Sequence, residues 1–226
     1  MSEWWTYELS DFLMFSPRVY VRLLAAYNAA MWPAQVVTIA LGLAAAALLL
    51  VPMRGRERLV PAALGVLWTL VAWAFLWERY ATINWGALYA APAFALQGVV
   101  LIAAGLSGRL SFPATRSAGA IAAAALLVAI VLGWPLLAPL FGRPFDAAEV
   151  FGLVPDPTAL ATLALLAAIG GGARIVLMII PALWSLIAAA TLFTLGSSAW
   201  VLVLAAAAAA VALSVSRRTP PAPRRW

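Results

Sequence analysis

The sequence predicts an all-α membrane protein, a bundle of about seven transmembrane helices preceded by an amphipathic helix lying in the interface. Three observations carry that expectation. Two thirds of the 226 residues are hydrophobic and a tenth are charged, more apolar surface than a soluble core can hide. The apolar residues fall into seven segments, at 33–51, 59–77, 86–106, 117–140, 157–173, 175–196 and 199–215. The arginines then sort by side. If all seven segments cross, Arg54, Arg56, Arg58, Arg109, Arg116, Arg174 and the tail arginines share one face, and Glu78, Asp146, Glu149 and Asp156 lie on the other. This places the N-terminus outside and the C-terminus in the cytoplasm. Three parts follow: an interfacial segment over 1–32, the seven-helix domain over 33–216, and a basic, disordered tail over 217–226.

The chain opens with Trp4, Trp5 and Tyr7 as headgroup-level anchors, and its Glu3, Glu8 and Asp11 do not make a cleavable leader. Ser16-Pro17 is the N-cap and first-turn pattern of a helix whose Val19, Leu23, Ala26, Tyr27 and Ala30 share a face. That helix is expected to lie on the membrane rather than cross it. Most of the later segments are long enough for a hydrocarbon core of about 30 Å. The fifth is the shortest in its apolar part, which ends before Gly170-Gly171-Gly172. Dropping it would move Arg174 and the tail arginines to the acidic side, so it is kept. Pro33, Pro61, Pro92 and Pro181 fit first turns, with Pro92 and Pro181 the candidates for kinks.

Every one of the 14 basic residues is arginine, and histidine and cysteine are also missing. This excludes Schiff-base chemistry on lysine, a Walker lysine, histidine-ligated haem, a His/Cys zinc site, a cysteine nucleophile and a Ser-His-Asp hydrolase. No cofactor is expected. The positive charge lies in short loops and a tail, the pattern of topology signals rather than of a nucleic-acid face.

Glu78, Arg79, Tyr80 and Asn84, between Trp77 and Trp85, form the densest polar cluster between two apolar segments. A buried Glu78–Arg79 pair supported by Tyr80 and Asn84 would serve either as a binding site or as a clasp between two spans. The loop from Arg143 to Thr158 adds Asp146 and Glu149 as free acids, and Asp156 before Pro157 reads as an N-cap. With Glu78 they would make an acidic funnel for a cation, an amine or a small polar solute. Gln35, Thr38, Gln97, Trp184, Ser185, Thr191 and Thr194 are polar within the spans and are expected to bond between helices.

Taken together, 9–18, Tyr27-Asn28 with Trp32-Pro33-Ala34-Gln35, 78–85, Glu149-Val150-Phe151-Gly152 and Pro155-Asp156-Pro157-Thr158 resemble an uncharacterised bacterial membrane family, a domain of unknown function sometimes labelled a permease. The resemblance implies a multi-pass protein of the bacterial inner membrane and supplies no activity. Two functions compete. One is a small transporter with an acidic outer vestibule built from Glu78, Arg79, Tyr80, Asn84, Asp146 and Glu149. The other is a non-catalytic scaffold that meets a membrane-protein partner or a second copy of itself within the bilayer. An enzyme using carboxylates alone is the least favoured.

Overall fold

A computed structural model describes residues 15–114 and 116–216. The expectations placed on the first 14 residues and on the 217–226 tail lie outside the described residues. Within them the chain is helical, and its only β pairing is an isolated antiparallel bridge between Ser111 and Gly170. The helices are α1 (Pro17–Ala30), α2 (Ala34–Leu50), α3 (Arg56–Leu70), α4 (Ala87–Leu106), α5 (Ala118–Val128), the short α6 (Leu137–Leu140), α7 (Pro155–Ala168), α8 (Arg174–Thr194) and α9 (Trp200–Val215).

Two wider, π-type stretches continue helices without a break, Val71–Trp77 after α3 and Ala129–Gly133 after α5. In the first, the Glu78 N–H reaches back five residues to the Trp73 carbonyl. Four continuous helical stretches are long and apolar enough to cross a membrane: Arg56–Thr82, Ala87–Leu106, Ala118–Leu140 and Arg174–Thr194. Counting α1 and α2 as one bent span gives five.

α1 meets α2 at 88°, so it lies across the end of the bundle. Its buried residues are Leu24 and Tyr27, while Val19 is exposed, so the inward face is turned from the one that apolar spacing predicts. The reason is polar: the Tyr27 hydroxyl donates to the Leu153 carbonyl at 3.2 Å, and the Tyr20 hydroxyl to Glu149 at 3.3 Å. Hydrophobicity alone does not see those partners.

α7 is the axis of the fold. Every residue from Ala147 to Ile169 is buried, and α7 packs against α2, α3, α5, α8 and α9. Its hydroxyls bond inward: Thr158 and Thr162 donate to carbonyls one turn back, and Thr162 also accepts the Trp68 indole N–H at 2.8 Å. The helix stops at Ala168, earlier than the expected 173, because Gly171 has φ +116 and Gly170 turns away to pair with Ser111.

α3 and α4 touch at glycines, where a Cβ on Gly65 would fall 2.5 Å from the Gly98 carbonyl oxygen. Pro92 and Pro181 sit inside continuous helices. Pro181 has no N–H for the Leu177 carbonyl one turn back, and Gln97 of α4 donates to that carbonyl at 2.8 Å instead. One proline thus creates the acceptor that joins α4 to α8. Ser185 and Thr194 bond only to carbonyls of their own helix, unlike the cross-helix bonds expected of them.

The connections alternate between two ends. Arg54, Arg56, Arg58, Arg109, Arg116 and Arg174 lie at one, and Glu78, Asp146, Glu149 and Asp156 at the other. Arg56 is 4 % exposed, donates to the Leu48, Val51 and Pro113 carbonyls, and lies over the Phe112 ring. It therefore caps the last turn of α2 and ties down the loop before α5.

Candidate functional site

At the acidic end a cavity of about 480 Å³ opens between α4 and α8, floored by the first turn of α7. Its walls are aromatic and aliphatic, and Phe75, Tyr80, Phe94 and Trp184 are among the residues that line it. The π-type stretch carries Phe75, which stacks on Tyr80 at 5.7 Å between ring centres. Trp184 meets Phe94 edge to face at 4.9 Å. These rings are held by packing, so their faces are preorganised.

One carboxylate lines this cavity, that of Asp156, 8 % exposed. It is not the N-cap that its place before Pro157 predicts. Val154 holds that position and Pro155 the first turn, which puts Asp156 one residue inside the helix, ahead of the fifth apolar segment. Its Oδ1 accepts the Trp184 indole N–H at 2.8 Å.

Glu149 lies behind the wall, 2 % exposed and fully engaged, unlike the free acid expected in the loop. Its Oε1 accepts from Arg143 Nη1 at 3.0 Å and from the Tyr20 hydroxyl, and its Oε2 accepts from Trp134 Nε1 at 3.0 Å. Burial, the largest influence, lowers the Arg143 pKa, but the Glu149 charge and hydrogen bond, with smaller contributions from Tyr20 and Asp156, raise it above its ordinary value.

Of the six residues that the sequence singles out, Tyr80 and Asn84 line the cavity, and Glu149 joins them through Tyr20, whose ring meets Tyr80 at 5.9 Å. Asn84 donates to the Tyr80 oxygen at 3.2 Å and accepts from the Gly86 N–H, which leaves the Tyr80 proton without an acceptor among the described residues. Glu78, Arg79 and Asp146 are exposed and do not line the cavity. No ion pair joins Glu78 to Arg79 among the described residues. Adjacent residues on a helix point in different directions, so the clasp expected there does not form.

The acidic funnel changes in the same way. Among the described residues, no three acids gather as a metal site would require. Asp156, Phe75 and Phe94 do not stand out in the sequence as site residues. The usable signal is Trp184, since a tryptophan in mid-helix needs an acceptor for its N–H.

Residues 18–223 match the model of a family of unknown function, DUF6064, and the chain belongs to that family. Neither a curated protein nor a solved structure matches the chain.

Proposed function

We propose that this member of the DUF6064 family is a seven-span permease of the bacterial inner membrane that binds an organic monocation in the aromatic cavity, with Asp156 as its counter-ion. Four of the spans rest on length and composition, and the three shorter helices, α2, α7 and α9, complete the count. The arginine-rich end faces the cytoplasm and the acidic end faces out, by the positive-inside rule. Exposed Trp32, Trp77 and Trp85 at the acidic end are placed as an outer aromatic belt would be.

The observation that carries the reading is one carboxylate set among Phe75, Tyr80, Phe94 and Trp184 in a cavity large enough for a small solute. A metal ion would want several oxygens, and the cavity brings one acid. A quaternary or protonated amine wants one negative charge and ring faces, each face contributing about 0.5 to 2 kcal/mol. The sequence reading of an outer vestibule for a cation or amine is thereby narrowed to the organic class, and its acid moves from Glu78 and Asp146 to Asp156.

Calorimetry on the purified full chain, with the series from tetramethylammonium to tetrabutylammonium, tests this. Binding should be lost in Asp156→Asn and weakened about tenfold, or about 1.4 kcal/mol, in Phe94→Leu. Equal binding of a neutral carbon isostere would overturn the reading. A protein partner that co-purifies in fixed ratio and covers the α4–α8 opening would favour the scaffold role instead.

A further inference from the structure

We propose that Asp156 holds a proton when the cavity is empty and surrenders it when an organic cation enters, so that the site exchanges one proton for one cation. This rests on the reading of the cavity given above. The charges around Asp156 are few. The loop brings Glu149 and Arg143, which face each other at 3.0 Å and form an ion pair. α1 brings Tyr20, whose hydroxyl is committed to Glu149. The turn after α3 brings Tyr80, α4 brings Tyr89 at the rim, and α8 brings the neutral indole of Trp184.

No cation among these is left over for Asp156. Ionised in the empty cavity, it would be a buried charge with one neutral hydrogen bond, whereas buried charges persist when paired. Protonated, it is neutral and keeps the Trp184 bond at Oδ1, and no hydrogen bond among the described residues reaches Oδ2, where the proton would sit.

The exchange balances. The Asp156 O–H bond breaks, the proton passes to solvent, and the bonding pair stays on the carboxylate. The entering ammonium then supplies the positive charge that the proton supplied before. Net charge in the cavity is the same in both states, so neither state leaves an uncompensated charge in the wall. In a membrane, such a site couples movement of the cation to movement of a proton in the opposite direction.

Two measurements on the full chain decide the matter. The first needs no ligand: an infrared pH titration of the empty protein should show a protonated-carboxyl C=O band into the neutral range, absent from Asp156→Asn. The second is tetrapropylammonium binding in weakly buffered solution with a pH indicator. Proton release should approach one per bound cation in acid and fall toward zero in base. Apparent affinity should then rise up to tenfold per pH unit across that range. Trp184→Phe removes a bond that favours the ionised form, so it should move both transitions to higher pH; it serves as the second variant if Asp156→Asn does not fold.

Binding that depends on Asp156 but releases no proton at any pH would overturn the exchange and leave the organic-cation reading standing. A carboxyl band that titrates as an exposed acid would overturn it as well. Absence of binding by every cation in the series would overturn both.

Discussion

The Trp184 indole N–H donates to Asp156 Oδ1 at 2.8 Å and so joins the middle of α8 to the first turn of α7. Both residues are buried, and the Trp184 N–H has no other acceptor among the described residues. Trp184→Phe keeps the apolar wall and deletes the donor, and it should cost about 1 to 3 kcal/mol, seen as a lower unfolding temperature in detergent. Asp156→Asn retains an acceptor and should cost less. A larger loss for Asp156→Asn would mean that the carboxylate is the stabilising form.

Arg143 and Glu149 should behave as one unit. Removing either partner of a buried pair typically costs about 3 to 5 kcal/mol, because the other charge stays behind unpaired. A thermal-stability cycle on Arg143→Gln and Glu149→Gln should therefore show a double loss well below the sum. Glu78 and Arg79 are exposed and join no ion pair among the described residues, so Glu78→Gln and Arg79→Gln should each change stability by no more than about 0.5 kcal/mol.

Stability should fall with rising pH through Asp156. On the proton-exchange proposal, the native state holds a proton on Asp156 where the unfolded chain has lost one. That contribution is fully present below the ordinary value of about 3.9 and is lost as pH rises through the folded value. Melts at a series of pH values should show a less negative slope in Asp156→Asn than in the parent. Equal slopes would mean that Asp156 titrates as an exposed acid does.

Gln97 and Pro181 should be coupled although the two side chains belong to different helices. Gln97→Leu strands the Leu177 carbonyl that Pro181 leaves free, at about 1 to 3 kcal/mol. Pro181→Ala supplies the missing N–H from within α8. In that background the same Gln97→Leu change should cost markedly less. An equal cost in both backgrounds would show that the proline has no part in the bond.

Sidedness is open to direct test because the chain contains no cysteine. Asp146→Cys and Ser107→Cys place single thiols at exposed positions on opposite ends of the bundle. An impermeant maleimide should label the first from outside and the second only after the membrane is opened. Labelling of both from one face would exclude the seven-span topology.

Most of the helical pattern was legible in the residues, because a run of about 20 apolar residues has few other uses and glycine and proline mark its ends. A helix lies on each of the seven segments. The cavity was less legible, and Glu149 and Glu78 show why. Both are glutamates in connections at the acidic end, yet one is buried against Arg143, Tyr20 and Trp134 and the other faces outward. Their difference lies in what the fold brings from 6 to 129 positions away. Spacing reports the face of one helix and says nothing about the partner opposite. Asp156 illustrates the same limit, since its partner lies 28 residues on, across a helix boundary.

The burial of α7 bears on how the protein is made. The helix has 14 residues, about 21 Å at the usual rise, and presents no side to lipid. As the chain emerges from the ribosome, this segment is complete before α8 and α9, which later cover it. With two prolines, an aspartate and two threonines in so short a length, it has little affinity of its own for the hydrocarbon. In the proposed seven-span arrangement its entry into the membrane is a tertiary event, finished when α8 and α9 arrive, and the helix around which the others are arranged is the one that is not installed without them.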